Sequence, residues 1–252
     1  MIVRTSGVRI PATVTPAWEG FAWSQKLGEK ARGYVSQPAH ARLSARIASS
    51  MLPEIFGHLH SEVIEAVGQH DVGWSARDLA ALEQSSSGDP ASFLDISAPQ
   101  ATEAWRHSIR AAEDRSLLQA ALTSRHFCLL SPKDRDPAHE KFVREENRRR
   151  GEMESRCGVN EADLDHYTAV LGFCDLMSLL MCSGLEGKFK LPLAHPAHPD
   201  ANQAPFAVCE LGSGELKFNR PVLNPRTMFS IDVWARTDSG FIASDGCEWK
   251  AE

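Results

Sequence analysis

Residues 63–77 read VIEAVGQHDVGWSAR, and the fold turns on whether His70 and Asp71 are ligands or merely a polar helix end. The run before them repeats apolar side chains at helical steps. It predicts a helix over about Phe56–Val72 with His60, Ile64, Val67 and Asp71 on one face. Gly73 is the expected stop.

Reading outward, the helical pattern extends in both directions. From Pro38, His40, Leu43, Ile47 and Met51 recur at three- and four-residue steps until Pro53. Beyond the dipeptide, Leu79–Asp95 contains SSSGDP and is expected to be an irregular exposed loop. Ser97 is a candidate cap for a helix carrying Ala101, Trp105 and Ile109. A strongly apolar helix over about Arg115–Leu130 follows. Pro137 then opens a charged helix to about Cys157, whose FVREENRRR stretch is expected to be an outer, solvated face. The last helix, about Glu161–Cys182, aligns Leu164, Tyr167, Leu171, Asp175 and Leu179, with Gly184 as its stop.

The ends of the chain differ. Met1–Val14 alternates loosely around Gly7 and suggests a short hairpin. Trp18, Phe21, Trp23 and a linker over Lys26–Gly33 follow it. LAHPAHPD is a proline-punctuated linker in which His195 and His198 read as exposed, and Phe206–Ile242 shows short strand-like pieces. The expected fold is mainly α: a helical bundle at 35–185, with small β elements in 1–34 and 186–252. The two β ends are placed to pair with each other.

Composition sets limits on function. The chain has 252 residues, enough to bury a core without staples. Its net charge of −6 gives no basic field for nucleic acid or anionic membrane. No stretch approaches the ~18 consecutive apolar residues of a spanning helix, and the N-terminus lacks the pattern of a signal peptide. Six cysteines with no Cys-x-x-Cys pair argue against a disulfide framework or thiolate zinc site. These features lead us to expect a cytoplasmic protein with a small-molecule substrate, no nucleic-acid or membrane partner, and a composition compatible with a homo-oligomer.

Asp175 is the most informative single residue. A carboxylate within FCDLMSLLMC costs several kcal/mol unless it is paired or bound to a cation. His40 on the inward stripe, His70, Asp71 and Asp175 together make a mixed N/O set suited to a divalent ion such as Mn, Fe, Zn or Mg. The alternative is a buried polar network in which His40 bonds Asp175 and Asp71 caps a neighbouring helix. His126 on the apolar fourth helix is a further candidate, and His58 and His60 lie farther from the dipeptide in sequence. Arg125 and Arg77 are candidates for clamping a phosphate. Trp74 and Trp105 are candidates for lining a pocket or for packing in the core.

The order His40, His70-Asp71, Asp175 resembles the H…HD…D signature of the HD-domain metal-dependent phosphohydrolase superfamily. More closely, QPAHARLS, QHDVGW, FLDI, TSRHFCLL and FCDLMSLLMC are similar to motifs of an uncharacterised bacterial family carrying a domain of unknown function. The likeness covers roughly 35–185. It implies a bundle of about five helices holding one ion through those four residues, and hydrolysis of a small-molecule or nucleotide phosphate ester. On that pattern Asp71 would also orient the attacking water, while His126 would contact substrate or protonate the leaving group. Val72, Gly73 and Trp74 stand where many members carry a polar catalytic residue. Some members hold two metals, including iron oxygenases, which would recruit His126 as an extra ligand. A third reading is a non-enzymatic ligand-binding or sensor module in which the quartet is structural.

Overall fold

The computed structural model describes residues 1–4, 33–84, 90–131, 136–193, 206–212, 214–237 and 240–252. Two short strands, β1 (Ile2–Arg4) and β2 (Gly33–Val35), precede the helices. The helices are α1 (Gln37–Ser50), α2 (Pro53–Phe56), α3 (Ser61–Gln69), α4 (Ser75–Gln84), α5 (Ala98–Glu113), α6 (Leu117–Leu130), α7 (Pro137–Arg156) and α8 (Glu161–Ser183). The strands β3 (Gly187–Pro192), β4 (Phe206–Gly212), β5 (Glu215–Phe218), β6 (Met228–Thr237) and β7 (Gly240–Ala251) follow.

Most of the longer helices begin where side chains satisfy their free N–H groups. Ser36 accepts from the Ala39 N–H with Pro38 in the first turn, and Ser116, Asp136 and Asn160 cap α6, α7 and α8 in the same way. Gln100 accepts from the Ser97 N–H at the start of α5. Gly184, at φ 71°, ends α8 in the left-handed conformation that glycine adopts without penalty. By length and composition α8 could cross a membrane, contrary to the expectation that no segment would. Yet 78% of its apolar window is buried inside the fold.

The expectation of a mainly helical bundle with only small β elements is overturned. The seven strands form one mixed sheet in the order β1-β2-β6-β7-β5-β4-β3, with β5 and β7 parallel and the other neighbours antiparallel. Its inner face supplies Phe189, Leu191, Cys209, Leu216, Phe229 and Trp249 to the same core as Leu43 and Ile47 of α1 and Leu171 and Met177 of α8. The terminal β segments do pair, through Tyr34 opposite Trp234. Sequence periodicity missed the single sheet because the pairings that join its pieces are non-local: β2 meets β6 across the whole helical region, and β5 pairs with β7 rather than with its neighbour in sequence β6.

Three smaller expectations also change. The helix predicted over Phe56–Val72 is two helices, broken at Gly57 with φ 71°, and its end tightens into a 3-10 turn, Val72–Trp74. Part of the expected loop from Leu79 is helical, as α4. The charged helix α7 is not wholly solvated, since His139, Phe142, Glu146 and Met153 are buried. Most of the Met1–Val14 hairpin, the Trp18, Phe21 and Trp23 segment, residues 85–89, and His195 and His198 lie outside the described residues.

Candidate metal centre

Five ionisable side chains from four helical segments meet in the interior. His40 from α1, His70 and Asp71 from the end of α3, His126 from α6 and Asp175 from α8 are each 6% exposed or less. They are brought together because α1 packs on α3 and α8, and α6 packs on α3 and α8. Gly73 lets the turn after the dipeptide lie directly on α5. A Cβ there would come within 2.2 Å of the Ala104 carbonyl oxygen and 2.5 Å of the Ser108 nitrogen. The Gly73 N–H instead donates to Ser108 Oγ at 2.9 Å.

The donor atoms form a closed ring. His40 Nε2 lies 2.8 Å from Asp71 Oδ2 and 3.5 Å from Asp175 Oδ1. His70 Nε2 lies 3.5 Å from Asp71 Oδ2 and 3.4 Å from Asp175 Oδ1. Donors bound to one ion at about 2.1 Å stand about 3.0 Å apart across a right angle and about 3.4 Å apart across a tetrahedral edge. The observed edges fall around those values. His126 Nε2 faces the other oxygen, Asp175 Oδ2, at 3.3 Å.

The far side of each imidazole decides what the ring presents. His70 Nδ1 lies 2.7 Å from the Val67 carbonyl oxygen, which only accepts, so Nδ1 carries the proton and donates it there. His40 Nδ1 lies 2.6 Å from Ser178 Oγ, whose own hydroxyl donates to the Asp175 carbonyl oxygen at 2.8 Å. In the tautomer protonated at Nδ1, Ser178 therefore accepts from His40. His40 Nε2, 2.8 Å from Asp71 Oδ2, donates there when it carries the proton; with Nδ1 protonated instead, both Nε2 atoms present lone pairs that a cation between the carboxylates would take. His70 Nε2 and His126 Nε2 are buried and lack an aligned hydrogen bond. Asp71 makes no capping bond to the turn it precedes, so the capping role considered for it does not extend to that turn.

The electrostatics of these side chains follow from the same crowding. Burial opposes a charge on His70, but Asp71 and then Asp175 outweigh it and push its pKa up to about 9. Burial alone would raise the Asp175 carboxyl, whereas His126 and His70 together hold it well below the usual carboxylate range. Burial dominates at His126, which stays below its ordinary value despite Asp175. The two carboxylates thus favour a positive charge between them, whether a proton on His70 or a cation.

Trp74 joins this cluster on the wall of one cavity, with Trp105 beside it. Arg125 and Arg77 do not. Arg125 pairs with Glu154 at 2.5 Å and with Asp165, and Arg77 lies 3.8 Å from Glu103, its side chain 32% exposed. Neither lines the cavity. His60 ends up with its ring edge-to-face on Tyr167. The sequence reading missed Ser178, Gln37 and His139. Ser178 follows Asp175 by one helical turn and Gln37 precedes His40 by one, so helical spacing around those two residues was the available signal. His139, also on the cavity wall, stacks on Trp105 at a centroid distance of 5.6 Å.

No curated protein and no solved structure shows significant similarity to this chain. A family model does match, over residues 27–227, which include the entire ring of donors and the strands β2 to β5. The chain therefore belongs to the family described as protein of unknown function (DUF3891).

Proposed function

We propose that this chain is a metal-dependent hydrolase of the HD type. The observation that carries the reading is the ring of His40 Nε2, Asp71 Oδ2, His70 Nε2 and Asp175 Oδ1, with edges of 2.8–3.5 Å in a buried site. When bound, a divalent Mn, Fe, Zn or Mg ion supplies an acidified water and polarises the bond under attack. His40 and His70 present their Nε2 lone pairs because Ser178 and Val67 hold the opposite protons. Asp71 and Asp175 supply the two negative charges that balance the ion. His126, kept neutral by burial, sits on the cavity wall where it can exchange a proton with a leaving group. The phosphate-ester form of this reading rests on the resemblance alone, since Arg125 and Arg77 are engaged elsewhere.

A second reading, a two-metal iron oxygenase, is favoured by one feature. Asp175 turns Oδ1 to His40 and His70 and Oδ2 to His126, as a carboxylate between two ions would.

Elemental analysis of protein purified without chelator, wild type beside His70→Ala, tests both. The hydrolase reading expects about one equivalent in the wild type and under a tenth in a variant with unchanged circular dichroism. Two equivalents of iron with oxygen consumption would establish the oxygenase instead. A wild type without metal, or equal metal in both proteins, would overturn the metal centre and leave a ligand-binding module.

A further inference from the structure

The ring of donors forms one wall of a cavity of about 220 Å³. Apart from Gln37 and His139, the rest of its lining is hydrocarbon or aromatic. Trp74, Trp105 and Phe127 are buried there and belong to a small apolar cluster distinct from the main core. Phe93, Leu94 and Leu130 also line the cavity and are half-buried. The ionisable groups of the ring are therefore out of water, and the part of the lining that meets solvent is apolar.

Charge points the same way. A phosphate dianion is ordinarily held by arginine or lysine, and among the described residues neither lines the cavity. One divalent ion would only cancel Asp71 and Asp175. That leaves no excess positive charge to receive a dianion, and an unbalanced charge is costly among apolar side chains. An apolar molecule meets the opposite conditions, since it takes the exposed parts of Phe93, Leu94 and Leu130 out of water and brings no charge. The lining is also preformed. Trp105 stacks on Phe127 at 5.3 Å and on His139 at 5.6 Å, with ring planes 15° and 21° from parallel. The Phe93 N–H donates to the Met1 carbonyl oxygen at 2.9 Å. Side chains held in this way need little ordering when a ligand arrives.

We propose that the cavity takes a small uncharged molecule with a hydrocarbon body, and that it does not take phosphate esters. The body lies against Trp74, Trp105 and Phe127, and the end that reacts meets the ring of donors. A cavity of about 150 Å³ holds benzene, so about 220 Å³ corresponds to about nine heavy atoms. The inference names the substrate class of the proposed hydrolase and rests on that reading only for the role of the ion.

The test titrates toluene and methyl phosphate into metal-analysed protein, followed by calorimetry and by tryptophan fluorescence. Toluene is expected to bind with a Kd of about a millimolar or tighter, and methyl phosphate at least about tenfold more weakly. Ala101 lines the same cavity, and Ala101→Leu fills it with about three heavy atoms. That variant should weaken toluene at least about tenfold while its metal content stays unchanged. Leu130→Ala, at a half-buried position that the fold tolerates more readily, should weaken toluene about three- to tenfold. Toluene that does not bind, methyl phosphate that binds as tightly, or toluene affinity unchanged in both variants would overturn the inference. Metal-loaded protein that fails in any of these ways loses this substrate class and keeps the hydrolase reading. Metal-free protein that binds toluene as expected loses the hydrolase reading and keeps the apolar pocket.

Discussion

Asp175→Asn separates a metal centre from a polar network, because it keeps the shape of the side chain and removes its charge. Asp175 provides two of the four ring edges, at 3.5 Å to His40 and 3.4 Å to His70, and it also faces His126 at 3.3 Å. Without it the ring is open and one of its two balancing charges is gone. An ion present at a thousandfold excess over its Kd stabilises the fold by about 4 kcal/mol. In a chain of this length each kcal/mol moves Tm by about 2–4 °C, so chelation should lower the wild-type Tm by about 8–16 °C. The variant should lose under about 2 °C on chelation, having little ion to give up. Differential scanning calorimetry of both proteins, with and without chelator, measures the double difference, and metal analysis of the same samples fixes occupancy. A purely structural network predicts something else: a drop on substitution that chelator does not alter. If both proteins lost the same Tm on chelation, or neither lost any, Asp175 would not be a ligand.

Gly73→Ala forces a Cβ to within 2.2 Å of the Ala104 carbonyl oxygen, backbone that cannot swing aside, and should cost about 1–3 kcal/mol in urea unfolding. An unchanged midpoint would mean that the turn does not lie on α5 as described. Ser178→Ala removes the acceptor for His40 Nδ1 and should weaken metal affinity about 10–100-fold, with the hydroxyl of Ser178→Thr restoring most of it. Equal affinity in Ser178→Ala, measured by competition with a chromophoric chelator, would discount the serine as a positioning residue. Burial pushes the Cys128 thiol up to about 11 from an ordinary 9.0, so at pH 8 its thiolate fraction falls about a hundredfold. Iodoacetamide should therefore label it slowly, with the rate rising as pH approaches 11; rapid labelling at pH 8 would contradict the raised pKa of this half-buried thiol.

The site was far more legible than the fold, for a physical reason. A carboxylate at position 175 and an imidazole at position 40 stand out because each breaks an apolar stripe of period 3.6, and such a break demands a partner. The sheet leaves no comparable mark. Strand β6 does alternate, with Phe229, Ile231 and Val233 inward and Ser230 and Asp232 between them, so one strand was readable. Its pairing with β2, and the parallel pair β5–β7, are contacts between distant segments. Arg125 and Arg77 illustrate the opposite failure. An arginine beside a candidate ligand is suggestive in sequence, but Glu154, Asp165 and Glu103 are nearer partners in space.

The sheet also changes how the centre is held. In a bundle alone, the spacing of His40 and Asp175 would depend only on how α1 packs against α8. Here both helices are tied to the sheet as well. Arg46 of α1 donates to the Ser230 and Met228 carbonyl oxygens of β6, at 3.1 and 2.8 Å. Arg4 of β1 donates to the Met181 and Cys182 carbonyl oxygens at the end of α8, at 2.7 and 3.2 Å, where the helix dipole favours a cation. Ser178 then links the two helices at the centre itself, accepting from His40 while donating to the Asp175 carbonyl oxygen. A ring whose edges vary only from 2.8 to 3.5 Å tolerates little sliding of either helix. Terminal strands that were expected to be minor appendages are thus part of what fixes the donors in place.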